Sequence, residues 1–137
     1  MHAEQLRNLK IANEVLGESG FILKQSSERY AEFCNESGCV VILEWSRMTP
    51  LACNIRIGKK EFASIGKQYY YLYAIQKALG ALKISGIRAH MDFIVGNQDF
   101  LFNKEEEYIK KYNKELNSPL TNDEIDQIRK NPELERD

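Results

Sequence analysis

Glu44, Arg56 and His90 are the side chains of this 137-residue chain whose types could support acid–base or electrostatic catalysis. Glu44 lies within an apolar, strand-like segment, so its carboxyl could be buried with a raised pKa. An ion pair with Arg47 or Arg56 explains the same position structurally, and we favour that interpretation. His90 falls on the apolar stripe of its own predicted helix, which favours a packed, hydrogen-bonded imidazole over a catalytic base. A small enzyme or ligand-binding protein with a site around Glu44, Arg56 and His90 is the alternative function.

The three cysteines, Cys34, Cys39 and Cys53, show neither CxxC spacing nor a neighbouring histidine. A structural zinc site and a nucleophilic thiolate are therefore not predicted, and the glycines form no phosphate-binding loop. We predict no cofactor and no metal. The chain shows no apolar leader and no run of about 18 apolar residues. Together with the odd number of cysteines, this predicts a cytoplasmic protein with reduced thiols and no membrane segment.

The segment KQYYYLYAIQKALG, residues 67–80, concentrates four tyrosines and two lysines. We predict a helix over residues 67–83, because apolar residues recur there at helical spacing. On that helix one tyrosine, Tyr71, joins the core stripe. The opposite side collects three tyrosines and a lysine: Tyr69, Tyr70, Tyr73 and Lys77.

Three interpretations of that second side remain open. Later helices could cover it, with each phenol ring packed and each hydroxyl hydrated, and we rank this interpretation first. It could be a protein-binding surface, because aromatic residues are enriched at interface hot spots. It could also stack the bases of a single-stranded nucleic acid, although no recognised nucleic-acid motif accompanies it.

A run of three acids, Glu105–Glu107, follows Asn103 at the start of a predicted helix over residues 103–116. Asn103 and Glu106 have the spacing of a capping box, and acids in a first turn favour the positive end of the helix dipole. Capping and hydration explain the run without a partner. Contact with a basic partner would use the same carboxylates.

Charge is unevenly distributed, although the whole chain has a net charge of -1 and a pI near 6.2. Residues 1–46 carry a net charge of -3, residues 47–90 carry +7 and residues 91–137 carry -5. The basic middle and the acidic ends could pair with each other on one dipolar surface, or they could steer a charged partner. A nucleic-acid-binding module that uses the middle segment is a further alternative, which the near-neutral charge of the chain disfavours.

The elements that must position these residues follow from changes in hydrophobic period. Residues 3–17 have helical spacing and end in a glycine-containing stretch. After this helix, four short runs of β-branched and aromatic residues, separated by turn-like residues, predict an antiparallel meander: residues 20–24, 29–35, 38–47 and 51–58. Residues 59–67 are predicted to form a further edge strand or a loop.

The rest of the chain is predicted to be helical, over residues 67–83, 87–95 and 103–116 and in a short helix that ends at Pro132. Strands followed by helices are typical of an α+β fold. We therefore predict an N-terminal helix, an antiparallel sheet of about four strands, and about four helices packed on the sheet. Residues 1–137 are expected to form a single domain, with a frayed tail at residues 131–137.

In overall plan the chain resembles the small cytoplasmic immunity proteins of bacterial toxin systems, including those of contact-dependent growth inhibition. The resemblance rests on the N-terminal helix, the strand pair GCVVILEWSR and LACNIRIG, the YYYLYAIQKAL helix and the NKEEEYIKKYNKEL helix. It implies that a toxin domain is neutralised by occlusion, without chemistry of the protein's own. For a basic toxin such as a nuclease, it implies interface acids at Glu105–Glu107 and at Asp123 and Glu124.

The expected function is therefore that of a non-enzymatic inhibitor that binds one toxin domain tightly at 1:1. The oligomeric state is not predicted. The expected partner-binding residues combine the tyrosine side of the helix with the acidic positions: Tyr69, Tyr70, Tyr73, Lys77, Glu105, Glu106, Glu107, Asp123 and Glu124.

Overall fold

A computed structural model describes residues 3–45, 53–81, 84 and 86–116 of the chain. The fold is α+β, as predicted: an N-terminal helix precedes an antiparallel sheet, and further helices follow. The first half contains helix α1 and the strands β1 to β4: Ala3–Glu18, Ile22–Ser27, Tyr30–Cys34, Cys39–Trp45 and Cys53–Lys59. After a first 3-10 helix, Lys60–Ile65, come β5, α2, α3 and α4: Tyr70–Tyr71, Leu72–Ala78, Ile87–Gly96 and Gln98–Asn103. A second 3-10 helix, Glu105–Glu107, which we call the acidic turn, leads into α5, Ile109–Leu116.

The sheet is a meander with the strand order β1-β2-β3-β4-β5, and every neighbouring pair is antiparallel. The central strand β3 has apolar residues on both faces, because Val41 and Leu43 alternate with Val40 and Ile42. We call the face that carries Leu43 the core face, and the face that carries Ile42 the sheet face. Leu43 lies opposite Ala31 on β2 and Ile55 on β4, so the core face is continuous across three strands.

The described helices all contribute to one hydrophobic cluster with the core face of the sheet. Their apolar stripes are buried there, which is the packing expected when the helices of an α+β fold lie on one side of an antiparallel sheet. Ile11 of α1, Ile75 of α2 and Met91 of α3 are buried in this cluster. Helices α1 and α3 match the predicted helices closely, because each has a clear apolar stripe of its own. No helix among the described residues is long and apolar enough to cross a membrane.

The tyrosine run departs from the prediction, because the helix begins only at Leu72 and the two residues before it form β5. Tyr70 lies opposite Ile57 of β4, and Tyr71 lies opposite Arg56. Tyrosine is a good strand former, and the outer edge of β4 needs hydrogen-bond partners for its backbone groups. These two requirements override the helical spacing of residues 67–71.

Two further segments differ from expectation. Residues 60–65, expected to be an edge strand or part of a loop, form the first 3-10 helix, which ends at Gly66 in the left-handed conformation (φ 69°). The helix predicted from Asn103 is broken, because Asn103 is the last residue of α4. The Asn103 amide donates to Asp99 (3.0 Å) and accepts from Lys59 (2.9 Å), so it does not act as the predicted capping residue. The short predicted helix that ends at Pro132 and the tail at residues 131–137 lie outside the described residues.

Gly58 on β4 is required by the rings that lie against it. A Cβ atom at this position would be 2.5 Å from Cδ1 of Tyr69 and 2.6 Å from Cε2 of Phe62, far inside van der Waals contact. We expect Gly58→Ala to lower the free energy of unfolding by about 1–3 kcal/mol, because the rings or the strand must shift. Urea denaturation of both proteins measures this difference.

Gly17→Ala is the matched control, because a Cβ at Gly17 near the end of α1 would meet nothing within 4 Å. That substitution should leave stability unchanged or raise it by about 0.5–1 kcal/mol through helix propensity. A Gly58→Ala protein as stable as the wild type would contradict the described ring packing.

Candidate functional site

The tyrosine run lies at the β5 edge of the sheet, next to α5. We call the surface formed by Lys67, Tyr69, Tyr70, Tyr73 and Tyr112 the tyrosine edge. Tyr70 is buried within it (6% exposed) and packs edge-to-face on Tyr112, with ring centroids 5.1 Å apart. Tyr112 also accepts a hydrogen bond from the backbone N–H of Tyr71 (3.0 Å), so α5 covers the backbone edge of β5. Coverage by a later helix, the first of the three interpretations, therefore describes Tyr70.

The acidic turn is attached to this edge through Glu105. The Tyr70 hydroxyl donates a hydrogen bond to the Glu105 carboxylate, and Lys67 Nζ lies 3.3 Å from the same group. Lys67 Nζ also lies 4.5 Å from the centroid of the Phe62 ring, within the range of a cation–π contact. Glu105 is thus held by the fold, whereas Glu106 and Glu107 are exposed.

A groove of about 330 Å³ opens between the segment before β5 and helix α5. Its aromatic wall is held in place by the core, because Tyr70 and Tyr112 are both buried. Leu116 at its end is 38% exposed, which makes it one of the exposed large apolar side chains of the described chain. The remaining lining comes from the extended segment and the outer side of α5: Lys67, Gln68, Tyr69, Ile109 and Asn113.

Of the other predicted partner-binding residues, Tyr69 lines this groove, whereas Tyr73 and Lys77 lie on α2 and are not part of its lining. Tyr69 is half-buried and packs on Phe62, with centroids 5.7 Å apart. Tyr73 packs on Tyr71 in the first turn of α2 (5.8 Å). Lys77, further along α2, forms an ion pair with Glu115 of α5 (3.0 Å). The predicted interface acids Asp123 and Glu124 lie outside the described residues.

The predicted three-residue site around Glu44 is not assembled. Arg56 Nη2 lies 2.5 Å from Glu44 Oε1, so the ion pair favoured from the sequence is present on the sheet face. His90 is on the other side of the sheet, within α3, and is only 3% exposed. Its Nδ1 lies 3.0 Å from the Gln76 amide nitrogen. His90 is therefore a packed, hydrogen-bonded residue and shares no surface with Glu44 and Arg56.

Sequence reasoning missed that Glu44 and Arg56 have close neighbours on the sheet face. The Tyr30 hydroxyl donates a hydrogen bond to Glu32 Oε1 (2.7 Å), and Tyr30 lies opposite Glu44 in the sheet. Strand alternation in YAEFC could have placed Tyr30 and Glu32 on one face, but their position beside Glu44 depends on the register between strands. We call the following residues the sheet-face cluster: Tyr30, Glu32, Glu44, Arg56 and Tyr69.

The segregated charges pair largely within the molecule. Ion pairs among the described residues join the basic middle segment to both acidic flanks, as one interpretation of the sequence expected: Arg56–Glu44, Lys67–Glu105, Lys77–Glu115 and Arg88–Glu14. The charged groups remain partly exposed, so each ion pair contributes at most about 1 kcal/mol to the free energy of unfolding. Their main effect is to neutralise much of the positive charge of residues 47–90.

Among the described residues, no group of three His, Cys, Asp or Glu side chains could hold a metal ion. Cys34 and Cys39 are not in a disulfide. Burial raises the pKa of the Cys39 thiol, and nearby Lys59 opposes this effect only in part.

Glu105 should contribute measurably to stability through the Tyr70 hydroxyl. We expect Glu105→Ala to lower the free energy of unfolding by about 1–3 kcal/mol, because a buried hydroxyl loses its acceptor. Glu107→Ala is the matched control and should change stability by less than about 0.5 kcal/mol, because this side chain is exposed. Equal stability of the two variants would contradict the role of Glu105.

Alkaline pH should unfold the protein through its buried tyrosines. Burial raises the pKa of Tyr70, Tyr108 and Tyr112 above the ordinary value of 10.0, and Glu105 raises that of Tyr70 further. Above pH 10 the unfolded chain therefore loses protons that the folded protein keeps, so stability is full below pH 10 and falls as the pH rises. Each such tyrosine contributes a slope of about 1.4 kcal/mol per pH unit.

Urea midpoints between about pH 8 and about pH 11.5 measure this slope. Tyr108→Phe removes one ionisable group that donates to the Leu101 carbonyl (2.5 Å). Above pH 10 the free energy of unfolding of the Tyr108→Phe variant should fall less steeply than that of the wild type, by the slope that one tyrosine contributes. A midpoint that does not change with pH in this range would show that these hydroxyls are not protected by the fold.

Comparison with known proteins found no matching family model, no matching curated protein and no matching solved structure. The function of the chain therefore has to be argued from its own residues. Among the described surfaces, the tyrosine edge and the sheet-face cluster join an aromatic surface to charged side chains, and they meet at Tyr69. These two surfaces together are the candidate functional site.

Proposed function

We propose that the protein is a non-enzymatic inhibitor that binds one partner protein at 1:1 through the groove at the tyrosine edge. The partner is a bacterial toxin domain, as the resemblance to immunity proteins implies, and binding blocks it by occlusion. The groove itself carries this proposal: an aromatic wall, held in place by the core, ends at the exposed Leu116 side chain.

The geometry of the groove suits protein binding because its wall is ordered before a partner arrives. Tyr70 and Tyr112 contact each other and are already buried in the fold, so they add little area to an interface but hold the wall of the groove rigid. A rigid wall loses little side-chain entropy on binding. Tyr69 and Leu116 offer further apolar area at the rim. Aromatic side chains that become buried in a complex, as the half-buried Tyr69 would, are typical of interface hot spots.

Charge supports a partner with a basic surface. Glu105 is used within the fold, but the adjacent Glu106 and Glu107 are exposed and have no ion pair among the described residues. Carboxylates at the rim of an interface accelerate association with a basic protein more than they raise the affinity. Binding to nucleic acid is the weaker alternative, because several cations of the middle segment already pair with Glu44, Glu105 and other acids.

The experiment uses the tagged full chain to capture partners from a lysate of bacteria that encode it. We expect a single stoichiometric partner with the wild type. Leu116→Asp, and separately the double variant Glu106→Lys and Glu107→Lys, should weaken its binding about tenfold or more. Tyr70→Ala is unsuitable, because Tyr70 is buried and its truncation would disturb the core.

Matched control variants lie elsewhere on the chain. Leu6→Asp replaces another exposed leucine (53% exposed) on α1, and Glu36→Lys replaces an exposed acid in the turn between β2 and β3. Both controls should bind like the wild type. A partner retained equally by the groove variants and the controls would remove the groove from the interface.

Inhibition is tested with the captured partner itself. The partner expressed alone should stop bacterial growth, and co-expression of this protein should restore it. The Leu116→Asp variant should restore growth less well, whereas Leu6→Asp should act like the wild type. A partner that is harmless when expressed alone would contradict the toxin assignment.

A further inference from the structure

The sheet face has an apolar floor of residues that are almost inaccessible to water. The hydrophobic cluster to which the helices contribute lies on the opposite face of the sheet. Val40 and Ile42 of β3 are each only 1% exposed, and neither belongs to that cluster. Ile42 lies between Glu32 of β2 and Arg56 of β4 in the sheet register. The long polar side chains of Glu32 and Arg56 therefore flank the apolar Ile42. Charges close to such an apolar surface interact more strongly than in bulk water.

Within the part of the chain that the structure describes, the charges on the sheet face do not balance. Arg56 pairs with Glu44 at 2.5 Å. Glu32 accepts a hydrogen bond from the neutral Tyr30 hydroxyl (2.7 Å) and has no ion pair among the described residues. Among the described residues of this face, the guanidinium of Arg56 is thus used by Glu44, and the negative charge of Glu32 has no cationic partner.

Two phenol groups stand beside this charge. Tyr30 is bonded to Glu32 directly. The pKa of the Tyr69 hydroxyl is raised, mainly by burial and further by the negative charge of Glu32, whereas Arg56 lowers it in part. Tyr69 therefore lies near both charged groups. A cation at Glu32 would be attracted by the carboxylate and by any tyrosine ring whose face it reaches.

Tyr69 also lines the groove at the tyrosine edge, so the sheet-face cluster and the groove are continuous. A protein seated in the groove would extend over Tyr69 toward Glu32. The chemistry that fits there is a guanidinium or ammonium group with hydrogen-bond donors for the Glu32 carboxylate.

We propose that the sheet-face cluster is a binding site for an arginine or lysine side chain of the partner protein, with Glu32 as the acceptor and Tyr30 and Tyr69 beside it. Glu44 and Arg56 occupy each other and form one wall of the site. The choice of a protein as the carrier of this cation rests on the proposed function. The site itself rests only on the charges, floor and rings of the sheet face.

The test titrates the full chain with N-acetyl-arginine methylamide while backbone amide signals are followed by NMR. Saturable shift changes should be confined to β2, β3 and β4 around Glu32 and to Tyr69. Glu32→Gln should weaken binding about tenfold, because a charge-assisted hydrogen bond is lost while the Tyr30 hydroxyl keeps an acceptor. N-acetyl-citrulline methylamide, a neutral analogue of the same shape, should cause no such changes.

Glu36→Gln is the matched control variant, because Glu36 is an exposed acid in the turn after β2 and should bind the arginine probe like the wild type. The amide spectrum of each variant shows at the same time that it is folded. Shift changes spread over all acidic residues, or binding unaffected by Glu32→Gln, would overturn the site.

This test can fail separately from the proposed function, because it requires no partner. With a captured partner, Glu32→Gln should weaken binding about tenfold, and Glu36→Gln should not. Partner binding that depends on Leu116 but not on Glu32 would overturn the sheet-face site and leave the groove intact. Localised arginine binding in a protein that captures no partner would contradict the proposed function alone.

Discussion

The burial of β3 on both faces is the constraint on which the rest of this structure depends. Leu43 and Val41 are fully buried on the core face, where the helices pack. Ile42 and Val40 are also buried on the other face, where Ile42 lies between Glu32 and Arg56 of the neighbouring strands. Because β3 sits in the centre of the sheet, it holds the helical layer on one side and presents a surface of charged and aromatic residues on the other.

The edge of the sheet at β5 is connected to the helices by a small number of polar contacts. Tyr112 of α5 accepts from the Tyr71 backbone, and Tyr70 donates to Glu105 across 35 residues of sequence. These hydrogen bonds satisfy groups that would otherwise be buried without a partner, which is costly. They also link β5 to the acidic turn and to α5, beside the groove at the tyrosine edge.

The described surface has a region where opposite charges pair and a region where negative charge is in excess. Over much of the described surface, the basic middle segment is neutralised by the acidic flanks. Negative charge remains at the acidic turn and at Glu32, on either side of Tyr69. A partner with basic side chains, placed along the groove, would meet both, so the proposed interface and the proposed cation site belong to one surface.

The sequence by itself determined the elements whose hydrophobic period is strong. It predicted the α+β order, helices α1 and α3, a central strand with two apolar faces and the packed His90, because each follows from spacing within one element or between adjacent strands. It also predicted an ion pair for Glu44 but left the partner open between Arg47 and Arg56, and the strand register decided for Arg56. It did not predict β5, the break between Asn103 and Ile109, or the capture of Glu105 by Tyr70 and Lys67. Only the tertiary structure decided these features, because they depend on hydrogen-bond partners tens of residues away, and local periodicity carries no information about such partners.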